Sequence, residues 1–316
     1  MRVLFAGTPA VAVPSLERLV RDGFEVVAVL TREDAPQGRK RIPAPSPVAA
    51  RAEELGLPVI RANRIDAAAQ EAIRAAAPDV AAIVAYGGLV PAAALSLPAH
   101  GWVNLHFSLL PSWRGAAPVQ HAVINGDEVT GAVTFLLEEG LDTGPVYGRL
   151  TEAIRPEDTS GALLDRLAES GSVLLSQTLS GIGSGRLVAV PQSGDVSLAP
   201  KLGLEDGHID WSQPALAIRR RISGTTPEPG AWTGWRGQRF KLGPVLPEAE
   251  QRQLAPGEIQ VLPGKQPVVL VGTGSHAVRL GTVQPAGKKP MAAAEWARGL
   301  EGSTGDGGTA TKVEFE

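Results

Sequence analysis

The sequence predicts an α/β protein with two parts. The first, residues 1–189, is a doubly wound, mostly parallel sheet. A linker follows over 190–207, and a small β-barrel over 208–316. Three observations predict this. Near-continuous apolar strands alternate with helical periods through the first 180 or so residues, the pattern of a parallel sheet covered on both faces. The composition then turns polar and is broken by Gly and Pro over residues 191–210, as in a linker. After Pro229-Gly230 come several short β-like segments separated by turn residues, which suits a small barrel.

Arg2 to Ala6 reads as the first strand and Gly7-Thr8-Pro9 as its turn. Residues 10–22 form a helix with Val13, Leu16, Leu19 and Val20 on its apolar side, and Val26 to Leu30 is the next strand. The turn between strand and helix lacks a Gly-x-Gly-x-x-Gly run, so it carries no dinucleotide fingerprint. Thr31 to Pro47 is a long polar loop with an Arg39-Lys40-Arg41 centre; it is either a solvated loop or one that contacts phosphates. Ser46 caps a helix over 47–55 and Asp66 an Ala-rich helix to Ala76. Val80 to Val84 is a buried strand that delivers Tyr86-Gly87-Gly88, and Pro91 to Leu95 a short helix. A strand then runs from Trp102 to His106, a helix over 116–124, strands over 129–137 and 145–154, and a long helix over 160–181. Past the linker, a helix to Ile222 precedes β segments at 231–235, 238–243, 257–262, 267–271 and 277–283. The tail from Glu301 is poor in apolar residues and is expected to fray.

Composition narrows the chemistry. With 316 residues, 43% hydrophobic and 20% charged, the chain suits a globular protein with a sizeable core. It has no cysteine, which excludes disulfides, thiolate catalysis and Cys-based metal sites. The apolar run at the start is too short for a signal peptide and no stretch is long enough to span a membrane, so a cytoplasmic protein without membrane contact is expected. The net charge of −3 argues against a general nucleic-acid binder. Its distribution is uneven: residues 201–316 hold 14 Lys/Arg against 12 Asp/Glu, a balance of +2, while residues 1–200 stand at −5. Basic residues cluster at 39–41, at Arg219-Arg220-Arg221 and at Lys288-Lys289.

The stretch from Val103 to Gly115 is the candidate site. In an extended chain Asn104 and His106 point to one side, about 6 to 7 Å apart, and Leu105 points into a core. The bland alternative is a buried Asn and a core His satisfied by backbone partners. Asp142, in the connection Glu138-Glu139-Gly140-Leu141-Asp142-Thr143-Gly144, completes a chemically useful set. A neutral His accepts and returns a proton, a carboxylate beside it orients it and supports the imidazolium, and an Asn amide donates to an oxyanion. Ser108 is the nearest hydroxyl, but it lacks a nucleophile-elbow sequence. The set therefore favours direct transfer of an acyl-level group to an amine. A metal held by His106, His121, Asp142 and Asp127 is a weaker alternative, because their spacing fits no metal motif.

A family resemblance makes this specific. Phe5-Ala6-Gly7-Thr8-Pro9, Ser46-Pro47-Val48, Asn104-Leu105-His106, the run Ser108 to Pro118, Gly140-Leu141-Asp142-Thr143-Gly144, Ala199-Pro200-Lys201, Ile209-Asp210-Trp211 and Val283 to Lys289 occur in this order across nearly the whole chain. They resemble the methionyl-tRNA formyltransferase branch of the 10-formyltetrahydrofolate-dependent formyltransferases. The resemblance implies an oligonucleotide-binding-like second domain. It implies 10-formyltetrahydrofolate as co-substrate, methionyl initiator tRNA as acceptor, no metal, and a monomer. It assigns catalysis to Asn104, His106 and Asp142. It places the folate near Tyr86, Gly87, Gly88, Ser108, Leu109, Leu110, Pro111, Leu137 and Gly140, and tRNA against Arg39, Lys40, Arg41, Lys201, Lys288 and Lys289. Phe107 stands where the family usually has Pro, and Ser112 where a basic residue is common. Two other readings share much of this sequence: formyl transfer to a sugar-nucleotide or other small amine, and a non-catalytic RNA-binding relative. The basic C-terminal part opposes the first, and the intact Asn-His-Asp set the second.

Overall fold

A computed structural model of the chain describes residues 1–37, 42–251, 254–301 and 314–316. It divides into two units. One comprises Met1–Pro118, Val129–Ala153 and Leu164–Pro200, and the other Val119–Glu128, Ile154–Leu163 and Lys201–Glu316.

The first unit follows the predicted alternation. Its strands are β1 (Arg2–Gly7), β2 (Glu25–Thr31), β3 (Ala35–Gln37), β4 (Ile42–Ala44), β5 (Val59–Arg61), β6 (Val80–Val84), β7 (Trp102–His106), β8 (Arg114–Gly115), β9 (Val129–Leu136), β10 (Val146–Ala153) and β11 (Leu198–Ala199). Helices α1 (Val13–Arg21), α2 (Pro47–Glu54), α3 (Ala67–Ala76) and α4 (Ala92–Leu95) connect them; α5 (Pro118–Asn125), which falls mostly in the second unit, and α6 (Ser160–Gly183), whose first turn does, follow. The caps predicted at Ser46 and Asp66 form: Ser46 Oγ accepts from the Ala49 N–H at 3.0 Å, and Asp66 Oδ1 from the Ala69 N–H at 2.9 Å. Each satisfies a helix-end donor that has no partner within the helix.

Seven strands make one sheet in the order β10-β9-β7-β6-β1-β2-β5. From β1 the chain winds outward through β2 to β5, then returns to β6 on the other side of β1 and continues to β7. These strands pair in parallel; β9 and β10 add an antiparallel edge. The reversal between β1 and β6 is a topological switch point, where the carboxyl ends of neighbouring strands leave a crevice. Leu4, Ala6, Ala81, Ile83 and Trp102 line one face with Ala69 and Ile73 of α3. α6 covers the other. There Thr134 bonds Thr178 at 2.8 Å, and a Cβ on Gly171 would stand 3.1 Å from Leu105. The polar loop after β2 holds a hairpin that its composition did not announce, with β3 antiparallel to β4.

The second unit holds β12 (Ala231–Trp235), β13 (Gln238–Leu242), β14 (Val245–Glu248), β15 (Ile259–Leu262), β16 (Val268–Val271), β17 (Ala277–Leu280), β18 (Thr282–Gln284) and β19 (Met291–Ala292), with α7 (Ala215–Gly224) and α8 (Ala293–Glu301). Two four-stranded antiparallel sheets, β12-β13-β18-β19 and β14-β17-β16-β15, enclose one apolar core. The chain passes from one sheet to the other at β13–β14 and at β17–β18, the corner construction of a small barrel. The expected fraying of the tail does not extend to its end. Phe315 is buried, nearly parallel to Trp211 at 5.5 Å and to Trp296 at 5.9 Å. One aromatic ring stacked between two indoles outweighs the polarity of its neighbours. Among the described residues no helix is long and apolar enough to cross a membrane.

Candidate active site

Asn104 and His106 lie on one face of β7, as the strand period requires. Asn104 sits between Ile83 of β6 and Phe135 of β9, and His106 beside Val133 of β9. Leu105, on the opposite face, is buried. The His106 ring is also buried, with the ring of Phe135 edge-on at 6.3 Å.

Both ring nitrogens face a polar group. Nε2 lies 3.0 Å from the Trp113 carbonyl. A carbonyl only accepts, so Nε2 carries the proton of the neutral ring and Nδ1 keeps a lone pair. Nδ1 faces Asp142 Oδ2 at 3.8 Å, beyond hydrogen-bond range. That carboxylate oxygen accepts instead from the Gly115 N–H at 2.8 Å. Burial pushes the His106 pKa below its ordinary value of 6.5, while the charge of Asp142 and the Trp113 carbonyl pull it back up. The net direction keeps the ring neutral and able to take a proton.

The groups around the ring come from irregular chain. Trp113 has φ 60° and Asp142 φ 51°, left-handed conformations that neighbouring structure must hold in place. Gly115, at φ 128°, lies so close to the next segment that a Cβ there would stand 2.6 Å from the Ala199 carbonyl. This allows β8 to pair in parallel with β11. Ser197 Oγ accepts from the Trp113 N–H at 2.9 Å. Gln192 Nε2 donates to the carbonyls of Asp142 at 2.7 Å and Gly144 at 2.8 Å. Residues 190–199, read in the sequence as linker, therefore contribute to the site. Polar residues among Gly and Pro gave no signal of this. The main-chain groups of Trp113 and Gly115 have no signature in a sequence at all.

The other sequence-predicted residues divide. Tyr86 is buried and its hydroxyl donates to the Ala62 carbonyl at 2.5 Å; Gly87 is exposed at φ 80° and Gly88 half-buried. Ser108 is buried and donates to the Ser112 carbonyl at 2.6 Å. Leu110, with Leu109 and Leu137 against it, belongs to a cluster with Val133, Phe135 and Val146, and Pro111 is buried after a cis peptide bond. Phe107 is buried too, and Gly140 is exposed. Among the described residues, the Asn104 amide makes no side-chain hydrogen bond, and the N–H groups of Gly87, Gly88 and Glu138 to Leu141 have no backbone acceptor. These N–H groups are not used within the described fold. Lys201, Lys288 and Lys289 are exposed on the second unit, the last two on a turn closed by Lys288 N–H to Pro285 O at 3.1 Å. Arg39, Lys40 and Arg41 lie outside the described residues. Among the described residues no three His, Asp or Glu side chains gather as a metal site needs, so His121 and Asp127 do not join His106 and Asp142 in one.

Comparison with known proteins agrees along nearly the whole chain. Residues 1–179 match the family described as Formyl transferase, and residues 201–301 match Formyl transferase, C-terminal domain. The methionyl-tRNA formyltransferase of Arthrobacter sp. (strain FB24) is 69% identical over 305 residues, covering 96% of this chain and 99% of that one. That of Streptomyces avermitilis (strain ATCC 31267) is 57% identical over 309 residues, covering 97% and 99%. Among solved structures, HypX from Aquifex aeolicus in complex with tetrahydrofolic acid superposes with a TM-score of 0.65 at 18% identity, over 100% of this chain and 50% of that one. The methionyl-tRNA formyltransferase from Clostridium thermocellum superposes with a TM-score of 0.56 at 13% identity, over 78% and 94%. At these identities the two structures share the fold. The sequence relatives, end to end and across both units, place the chain in the family of methionyl-tRNA formyltransferases.

Proposed function

We propose that the chain transfers the formyl group of 10-formyltetrahydrofolate to the α-amino group of methionyl initiator tRNA, with His106 as general base. The observation that carries this is the state of His106. The ring is buried and held neutral, with its Nε2 proton engaged by Trp113 and its Nδ1 lone pair beside Asp142. When bound, the folate supplies the formyl carbon that the amine attacks. His106 Nδ1 takes the proton that the amine loses. The resulting Nδ1–H faces Asp142, whose charge stabilises the imidazolium. Orientation of the ring comes from the Trp113 carbonyl, so Asp142 acts by charge. Asn104, two residues away on the same face, donates its amide to the oxyanion of the tetrahedral intermediate. His106 then returns the proton to the leaving nitrogen. The free N–H groups of Gly87, Gly88 and residues 138–141 are suited to the polar edge of a folate ring.

The acceptor reading rests on the relatives and on charge. Lys201, Lys288 and Lys289 are exposed, and with Arg39, Lys40 and Arg41 they supply phosphate contacts that set the acceptor end over the site. One assay tests the reading. Purified protein is incubated with 10-formyltetrahydrofolate and either methionyl initiator tRNA or an amino sugar-nucleotide, with a folate-free control. Formylated methionyl-tRNA is expected only with folate present. Formylation of the sugar-nucleotide alone would reassign the acceptor, and a His106→Ala enzyme working at near wild-type rate would sink the mechanism. An Arg39/Lys40/Arg41 triple alanine variant is expected to raise the KM for tRNA and flatten its salt dependence.

A further inference from the structure

Both groups that face the His106 ring are held by one segment. Ser197 anchors Trp113, whose carbonyl accepts from the Nε2–H, and Gln192 anchors Asp142, which faces Nδ1. Gln192 is the more specific of the two. Its amide nitrogen donates to two carbonyls, of Asp142 and Gly144, and its Oε1 accepts from Arg114 Nη2 at 2.7 Å. The guanidinium fixes which way the amide faces. Reversed, the amide would turn N–H groups toward a cation and its oxygen toward two carbonyls. Arg114 in turn is fixed by its place in β8, where its N–H donates to the Ser197 carbonyl at 2.9 Å, and its Nε is buried without a partner. The backbone that this arrangement holds is the left-handed turn at Asp142, a conformation less favoured for aspartate than for glycine and helped by the bonds around it.

We propose that Gln192, oriented by Arg114, is a positioning residue for formyl transfer: through the Asp142 and Gly144 carbonyls it sets where the Asp142 carboxylate stands beside His106 Nδ1. This rests on the roles given above to His106 and Asp142. The surroundings of the ring make the position of that carboxylate consequential. From β9 the ring meets the edge of Phe135, from the loop after β7 a carbonyl, and from the 138–144 connection Asp142, the charged side chain that acts on it. If the turn at Asp142 relaxes, the imidazolium loses its counter-charge while the neutral ring is undisturbed. The loss falls on the chemical step and not on substrate binding.

The test uses the full-length enzyme and the variants Gln192→Glu, Gln192→Leu, Asp142→Asn and the double variant Asp142→Asn/Gln192→Leu. Gln192→Glu keeps the size and the contact to Arg114 but has no donors for the two carbonyls, so it separates positioning from packing. Both Gln192 variants are expected to lower kcat roughly 10- to 100-fold, with KM for folate and tRNA nearly unchanged. The acidic limb of the kcat–pH profile is expected to move to lower pH in Gln192→Leu, as in Asp142→Asn, because each takes a negative charge away from the ring. The double variant is expected to be no slower than Asp142→Asn alone, since both substitutions remove the same interaction. Wild-type kcat in Gln192→Glu, a rise in KM without loss of kcat, or multiplicative effects in the double variant would each overturn the proposal while leaving the roles of His106 and Asp142 standing. An Asp142→Asn enzyme with wild-type kcat would instead bring down the mechanism itself, and this inference with it.

Discussion

His106 is held neutral by virtue of where it is buried. Desolvation disfavours the charged ring, and Asp142 only partly restores it. In the ligand-free protein the His106 imidazole is expected to titrate below the ordinary value of 6.5 in an NMR pH series. Asp142→Asn is expected to lower it further, because the raising charge is gone; an upward shift would contradict the geometry. The same depression carries a stability consequence. Between the unfolded and folded values the unfolded chain binds more protons, so the histidine's contribution to stability falls as pH drops through about 6.5 and levels off below the folded value. Asn104 calls for a different measurement. Asn104→Ala removes the oxyanion donor proposed above, an amide that makes no hydrogen bond to the described residues, so kcat is expected to fall roughly 100- to 1,000-fold with the unfolding midpoint unmoved. At this scale the sequence was readable where side chains carry the information. Asn104 and His106 two apart in a strand share a face whatever else happens. It was silent on the Trp113 carbonyl and the Gly115 N–H, since every residue has such groups and only the path of the chain selects among them.

The elements that build the sheet follow from local rules: apolar runs make β1, β2, β6 and β7, helical periods make α1 and α3, and Ser46 and Asp66 start helices. The short elements do not. β8 and β11 have two residues each, too few for any period, and they exist because Gly115 lets the chains approach. Gly115→Ala is expected to destabilise the protein by about 1–3 kcal/mol in urea unfolding, since a Cβ would meet the Ala199 carbonyl and φ 128° suits only glycine. It is also expected to depress kcat, because the Gly115 N–H is a ligand of Asp142. The β3–β4 hairpin, β14, β19 and α8 escaped notice for related reasons. They are short, and tertiary contacts rather than internal pattern sustain them.

In the whole molecule, the two units are stabilised differently. The first relies on a long sheet buried on both faces; the second relies on a core in which Phe240, Trp211, Trp235, Trp296 and Phe315 meet within two small sheets. Phe315 comes from the far end of the chain, and its neighbour Glu316 accepts from the Gly237 N–H at 2.9 Å. Phe315→Ala is expected to cost about 3–5 kcal/mol in denaturant unfolding, a large share of the stability of a unit this size. A tail of low hydrophobicity concealed this, because one aromatic residue weighs little in a window average and a great deal in a core.

Residues 190–199 change what counts as a transferable catalytic module. The two family-matched stretches, 1–179 and 201–301, leave out this segment. A graft or fragment cut to those limits would carry Asn104, His106 and Asp142 complete. It would still lack Gln192 and Ser197, which fix the far side of the imidazole's surroundings. Anyone recombining the N-terminal part with a different acceptor-binding part must set the crossover after Ala199. Substrate-switching chimeras joined earlier would inherit the reactive groups without the scaffold that aims them.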